Sequence, residues 1–590
     1  MTLTHHWLIA GLLLLATTPL LAQAEYRVHS HNDYLQEVPF WLAYSSGAAS
    51  IEVDLVLQND TLYVAHARQE IDPTRTFSNT YLEELDRLTE TERLRPVRLL
   101  IDLKTEAYAT LDRVIAAINA YSSLTRDGKV TFIISGNRPP PEDYPNYPDF
   151  IYFDHQNLDD LDRVDLAKVA MISQSFRSYS VWNGYGRMTA RDLARVDSVI
   201  QLAQSTGAPF RFWATPDTKT AWASFARLGL DYINTDQPTA ARAFLNKLNQ
   251  HTYAARPPFA PYAPQYEIDA SASPRNIILM IGDGNGLAQI SAARMANGGE
   301  LSLTSLKHIG LVSTAAADDP VTDSAAAGTA MATGVKTNNR AIGVDTAGRP
   351  LLSLVEQLSA HNYRTGVITT DGIAGATPAA FYAHTPERDD SEKILGDLIR
   401  SDLSFFISGG QSLEKAISGR FTPTSLDRFE TLDHPVAILN GTDKMPAMAD
   451  GRGAFLPGSV AKALSVLGAD ERPFFLLIEG AQIDNGGHAN EISTIVTEML
   501  DFDRTIGEAL RFADTDGQTL VIVTADHETG GLGIAGGSTE GEVRADFLSV
   551  DHSGTMVPLF AYGPGAHAFT GVFENTEIFH RIMAVLGIEK

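Results

Sequence analysis

Short segments late in the 590-residue chain gather acids, histidines and hydroxyls at turns beside apolar runs. Asp283 lies in IGDGNG, Ser324 in VTDSAAAGTAMATG, and Thr377 and Arg388 in GATPAAFYAHTPER. Glu479, Asp484 and His488 lie in IEGAQIDNGGHAN, Asp526 and His527 in TADHETGG, and His552 in DHSGTMVPL. Donors of this kind, oxygen and imidazole, suit divalent cations. Two such ions about 4 Å apart meet the needs of phosphomonoester hydrolysis, one activating the attacking oxygen and the other holding the leaving oxygen. Metal on the Ser324 hydroxyl would lower its pKa and replace a general base. Ser324 also opens an alanine-rich stretch expected to be helix, whose first N–H groups would face a phosphate. Arg388 has the fork to grip two phosphoryl oxygens. Any one of these segments alone reads as a turn or a helix cap; together they point to chemistry. His384 has no ligand role in the pattern and reads as a structural histidine.

A second set stands near the start. HSHNDY (29–34) is followed by SIEVDL, YVAHA and LLIDLK. Glu52 and Asp54 alternate on one expected strand, so both carboxylates face one side. Asp102 and Lys104 repeat that spacing on the next. Carboxylates without thiols suit a hard ion, Ca2+ or Mg2+, and two histidines flanking a phosphodiester could act as base and acid. His29 and His31 share a face, so spacing alone does not choose between them.

The elements that must position these residues divide the chain in two. A length of 590 residues exceeds what one hydrophobic core supports. The Pro- and Ala-rich stretch over 247–274 reads as an extended linker. Before it, eight short β-rich runs (YRVHSH, SIEVDL, VRLLIDL, VTFIIS, FIYFD, VAMIS, FRFWA, DYINTD) fit a (β/α)8 barrel over 25–246, with functional residues at the carboxyl ends of strands. After it, NIILMIG, RTGVITT, FFLLIEG and TLVIVTA read as buried parallel strands of an α/β domain over 275–590. Asp283, Glu479 and Asp526 fall at their carboxyl ends, where open α/β sheets bind ligands. The stretch from 389 to 472 carries no readable motif and is expected to shape substrate access.

Composition narrows the classes. Hydrophobic residues at 44% and charged residues at 20% argue for globular protein. With 46 basic and 72 acidic residues, the net charge of −26 opposes a nucleic-acid surface, so an anionic substrate must be drawn by local positive charge. The absence of cysteine excludes disulfides and thiolate metal sites. Residues 1–24, with an apolar core from Trp7 to Leu21 and the small-residue site Ala22-Gln23-Ala24, have the form of a signal peptide. That predicts a secreted or periplasmic protein with no integral membrane segment after leader removal; a membrane anchor is the alternative.

The late motifs, in this order, closely resemble those of the alkaline phosphatase family over roughly residues 275–590. The resemblance implies two zinc ions and one magnesium ion, with Ser324 as a transiently phosphorylated nucleophile and Arg388 as the phosphate clamp. It assigns Asp283, Asp526 and His527 to the zinc beside Ser324, with Asp283 bridging toward magnesium. Asp484, His488 and His552 go to the second zinc, and Thr377 and Glu479 to magnesium. Three positions depart from the family pattern. Gly375 stands where some bacterial members have an aspartate, Asn485 where members often carry Lys, His or Trp, and Asn285 where Met is usual.

The first half resembles glycerophosphodiester phosphodiesterases and the wider phosphatidylinositol phospholipase C-like barrels, including the closing run FRFWATPDTKTAWASFARLGLDYINTDQP. This implies His31 and His66 as the acid/base pair, Glu52, Asp54 and Asp102 as metal ligands, and Lys104 as a phosphate contact. The customary His-Arg-Gly opening is absent, and Ala67 follows His66 where an acid is usual. The expected function is thus an exported hydrolase in which a diesterase supplies small phosphomonoesters to a phosphatase. The alternative is a phosphatase whose barrel is a non-catalytic binding module. A homodimer is compatible with either.

Overall fold

The computed structural model describes residues 26–441 and 443–588; the leader expected over 1–24 lies outside them. The described residues divide into two compact units, with the boundary between Asn249 and Gln250.

In the first unit eight parallel strands close into a barrel. They are Arg27–Ser30, Ser50–Gln58, Val97–Leu103, Val130–Gly136, Ile151–His155, Val169–Ser175, Phe210–Trp213 and Tyr232–Thr235. Closure comes from the first strand, which pairs with the second (His29 opposite Ser50) and with the last (His29 opposite Asn234). These are the runs expected from sequence. Strand alternation sorts their side chains. Outward residues such as Val53, Leu99, Ile101, Phe132, Ile134, Phe153 and Phe212 join one core beneath the surrounding helices. Inward residues form two layers. Leu100, Ile133, Met171 and Tyr232 make a small apolar plug. Two positions further along the same strands, Asp102, Ser135, Ser173 and Asn234 begin a polar layer. The interior therefore changes from apolar to charged toward the carboxyl ends.

In the second unit a ten-stranded sheet forms the middle layer. Its central strands, Arg364–Gly372, Phe474–Gly480, Asn276–Gly282 and Thr519–Thr524, are mutually parallel neighbours. Both faces are buried, which accounts for the continuous apolar runs. Ile278, Met280, Leu476, Ile478, Val521 and Val523 pack on one side with the long helix Ile492–Asp516. Ile277, Leu279, Ile281, Phe475, Leu477 and Leu520 pack on the other, with helices Ser324–Thr333 and Thr576–Val585.

The stretch 389–472 extends the sheet with Phe405–Gly409, Val436–Asn440 and Thr422–Pro423 and supplies helix Phe455–Ala469. A loop within it docks at the end of a central strand, where Met445 N–H donates to Thr370 O at 3.2 Å.

Residues 250–274 run extended along the second unit. Thr252–Tyr253 pairs antiparallel with Val543–Phe547. Tyr262 OH donates to Asp514 at 2.6 Å, Tyr266 OH donates to Ser305 O at 2.8 Å, and the Lys307 ammonium lies 3.7 Å from the Tyr266 ring. Among the described residues, no helix is long and apolar enough to cross a membrane.

Candidate functional site

The late motifs converge at the carboxyl ends of the central strands. Asp283 follows Asn276–Gly282, Glu479 nearly ends its strand, and Asp526 lies just past Thr519–Thr524. Ser324 is the first residue of its helix, and the Asp323 side chain caps that helix by accepting from Ala326 N–H at 3.0 Å. A cap of this kind contributes about 1 kcal/mol. The helix is rich in Ala and carries Gly328 where it packs closely: a Cβ on Gly328 would lie 3.0 Å from the Ala380 methyl and 3.6 Å from Thr377 Cα. That contact holds Thr377 near the site.

His527 is fully buried at the centre. Its Nε2 lies 3.3 Å from Ser324 Oγ, 3.1 Å from Asp526 Oδ2 and 3.7 Å from Asp283 Oδ1. Asp283 Oδ1 and Asp526 Oδ2 are buried acceptors with no hydrogen-bond donor. Orphaned carboxylate oxygens facing one imidazole nitrogen are the environment a divalent cation satisfies. Burial, with the charges of Asp526, Asp484 and Glu479, pushes the Asp283 carboxyl well above its usual range.

A second group lies alongside. The His552 ring stacks on His527 at 3.6 Å. His488 Nε2 is 3.2 Å from His552 Nε2 and 3.2 Å from Asp484 Oδ2, and His552 Nε2 is 3.6 Å from Asp484 Oδ1. The other nitrogens, His488 Nδ1 and His552 Nδ1, meet the carbonyls of Val550 at 2.6 Å and Thr322 at 2.9 Å. A carbonyl only accepts, so in the neutral, metal-binding form each Nδ1 carries the proton and each Nε2 presents a lone pair. Two lone pairs and a carboxylate aimed at one another again fit a cation.

The third group is oxygen only. Thr377 Oγ1 donates to Asp283 Oδ2 at 3.4 Å, and Thr369 Oγ1 donates to Glu479. Burial and the charge of Asp371 push the Glu479 carboxyl up to about 8. This set suits a hard ion such as Mg2+. Arg388 donates to Asp323 at 2.9 Å, which ties the arginine to the residue that caps the Ser324 helix. Asp323 and Thr529, which donates to Asp484, were not picked out by sequence reasoning. Asp323 was recoverable as the residue before a helix-starting serine; Thr529 had no local signal. Asp551 is a further donor within reach of His488 and His552. His384 Nδ1 meets Gly343 O at 2.8 Å and its Nε2 meets Glu356 at 3.1 Å, away from these groups.

In the barrel, one carboxylate oxygen from each of Glu52, Asp54 and Asp102 lies within 4.8 Å of the others. His66 Nδ1 meets Asp54 Oδ2 at 2.7 Å, and Lys104 Nζ lies 3.1 Å from both Asp54 and Asp102. The two histidines of the opening motif separate clearly. His29 has no exposed surface, is bonded to Ser50 at 2.8 Å and Glu52 at 2.9 Å, and touches Arg211. Burial and the Arg211 charge lower its pKa to about 3. His31 keeps 27% of its side chain exposed, with Nδ1 at 2.7 Å from Asp236 and Nε2 at 3.9 Å from Glu52. Asn32, in the left-handed region, makes the turn after it. Asp33 pins the loop by accepting from Phe40 N–H at 2.6 Å and Tyr81 OH at 3.0 Å. Sequence reasoning missed Arg211, which is buried and donates to Glu52 at 2.7 Å. Its only signal was an arginine on an otherwise aromatic strand.

Comparisons with known proteins agree with this fold. A family model described as alkaline phosphatase matches residues 274–404, 406–547 and 541–588. Models described as an AIM6-like phosphodiesterase domain and as the glycerophosphoryl diester phosphodiesterase family match residues 22–98 and 209–239. Alkaline phosphatase 4 of Bacillus subtilis is 30% identical over 413 residues, covering 53% of this chain and 88% of that protein. The Escherichia coli K12 alkaline phosphatase is 30% identical over 407 residues, covering 53% and 86%. The structure of alkaline phosphatase from the Antarctic bacterium TAB5 is 40% identical, with a TM-score of 0.52, and covers 54% of this chain and 100% of that one. A variant of that enzyme, described with Mg bound in the M3 site, is matched at 40% identity and a TM-score of 0.51, covering 54% and 100%.

Proposed function

The chain belongs to the alkaline phosphatase family, and on that premise we propose that its second unit releases inorganic phosphate from phosphomonoesters through Ser324. The observation that carries this is the position of Ser324 Oγ, at a helix N-terminus and 3.3 Å from His527 Nε2, beside orphaned carboxylate oxygens and converging imidazole lone pairs. Asp283, Asp526 and His527 would hold one zinc, Asp484, His488 and His552 the other, and Thr377, Glu479 and Asp283 magnesium. When bound, these ions supply the positive charge that a chain of net charge −26 lacks, and favour the ionised serine. Ser324 Oγ attacks phosphorus, the bond to the leaving oxygen breaks, and water later displaces the serine. Arg388, held by Asp323, orients the phosphoryl oxygens.

For the first unit the same reading extends to phosphodiesters, with His31 and His66 as acid and base and Glu52, Asp54 and Asp102 around Ca2+ or Mg2+. The partly exposed ring of His31 beside those carboxylates supports it. The products would be monoesters for the second unit, in an exported, phosphate-scavenging protein. A binding-module reading of the barrel is favoured by one observation: Arg211 already neutralises Glu52 from within.

The test uses the full-length protein with separate chromogenic monoester and diester substrates. Ser324→Ala should abolish monoester turnover and keep the zinc content. Glu52→Ala should abolish diester turnover alone. Near-parental monoester rates in Ser324→Ala would refute the nucleophile, and unchanged diester rates in Glu52→Ala would leave the barrel as a binding module.

A further inference from the structure

The magnesium group described above has an acidic neighbour with no assigned role. Strand Arg364–Gly372 runs parallel to Phe474–Gly480 with Thr369 opposite Glu479. Asp371 lies two residues on, within a stretch where the strand's register shifts. Its N–H donates to Thr369 Oγ1 at 2.8 Å, and that hydroxyl donates in turn to Glu479. The chain then folds back, Gly375 N–H donating to Gly372 O at 2.9 Å, and Gly375 leads into the short helix Ala376–Ala379 that carries Thr377.

This turn lays the Asp371 carboxylate over Gly375. A Cβ on residue 375 would collide with Asp371 Oδ2 and lie 3.1 Å from both the Asp371 carboxyl carbon and Gly372 O. Gly375 has φ −56° and ψ 154°, a conformation open to any residue. Space and not backbone therefore favours glycine, and the space is taken by an acid whose side chain would have to swing aside for any Cβ there. Nearby, Asp283 Oδ2 accepts from Thr377 Oγ1 at 3.4 Å, and Glu479 is only 1% exposed. The cations that act on Asp371 are Lys444 and Arg388.

We infer that Asp371 is a further carboxylate of the third cation site, serving magnesium together with Thr377, Glu479 and Asp283 from the volume that a side chain at position 375 would occupy. A hard cation takes carboxylate and water oxygens, so an acid at this point adds charge to the site whether it meets the ion or its water. The inference rests on the phosphatase reading. It predicts that an acid at position 375 can stand in for Asp371, whose carboxylate would have to move aside for a side chain there.

The experiment titrates magnesium into the zinc-loaded, full-length protein by calorimetry, with zinc content measured in parallel. Asp371→Asn should weaken magnesium binding about 10–100-fold, the range for residues that support metal ligands, with zinc content unchanged. Asp371→Ala should do the same, and Gly375→Asp placed on that background should recover most of the affinity. Unchanged magnesium affinity in Asp371→Asn would overturn the inference. So would a loss that Gly375→Asp fails to restore, since that marks a role in folding the turn. A parent protein that binds no zinc and turns over no monoester refutes the phosphatase reading itself, a different result from either.

Discussion

At the residue scale the chemistry depends on which atoms are left with nothing to bond. His488 and His552 donate hydrogen bonds from Nδ1 to carbonyls and aim Nε2 at Asp484. Without metal this convergence is costly, and its pH dependence follows. Burial and the Asp371 charge lift Glu479 to about 8, and the hydrogen bond to Asp484 lifts His488 to about 9. The unfolded chain releases these protons near 4.5 and 6.5. Above pH 7 it therefore binds fewer protons than the native state, and stability falls as pH rises. The EDTA-treated protein should melt at lower temperature at pH 9 than at pH 7, and Glu479→Gln should reduce that difference. An equal or higher melting temperature at pH 9 would contradict the assignment. In the barrel, His31→Ala should lower diester turnover by about 10²–10⁴-fold with the fold intact, the usual worth of a general acid or base. His29→Ala should instead destabilise the unit by about 1–3 kcal/mol, because it leaves buried partners unsatisfied. Urea unfolding of the two variants, read beside their activities, separates the roles.

At the element scale the sites depend on glycine where helices must approach closely. Helix Gln482–Ala489 presents Asp484 and His488 one turn apart on one face. Gly487 lies between them, and a Cβ there would come within 2.7 Å of Thr529 Cβ and 3.0 Å of its carbonyl oxygen. Thr529 in turn donates to Asp484. Gly487→Ala should therefore push two ligands apart together, lowering zinc affinity and costing about 1–3 kcal/mol of stability, the range for overpacking. Zinc titration and thermal melts check this; a variant with parental values in both would show that the helix can shift freely. In the barrel the decisive element property is strand alternation, which stacks a charged layer on an apolar plug with no break in the strands.

For the whole molecule, the matter is where one unit ends. Residues 250–266 belong structurally to the second unit, with Tyr253 buried in its core and Tyr262 and Tyr266 bonded to it. A chain of residues 250–590 should melt at higher temperature than one of 275–590, by a stability difference on the order of a few kcal/mol from lost apolar burial and hydrogen bonds. Equal melting temperatures would mean that the segment only lies along the surface. Carrying both units on one chain also raises the local concentration of any monoester made by the first.

Local pattern was enough for the strands of the barrel, the central strands of the sheet and the order of the acid- and histidine-bearing motifs. Apolar periodicity is a short-range property, and each motif carries its own turn and cap. The lack of cysteine likewise restricted any metal site to oxygen and imidazole donors. Local pattern did not distinguish His29 from His31, which share a strand face. Their difference is depth, set by Arg211 arriving from a strand 182 residues away in sequence. Nor did it reveal that the extended Pro/Ala stretch is held by Asp514 and Ser305, or that Asp371 fills the space over Gly375. Each of these depends on which surfaces meet after the sheets have closed. Spacing along a chain carries no information about that distance until tertiary packing brings the surfaces together.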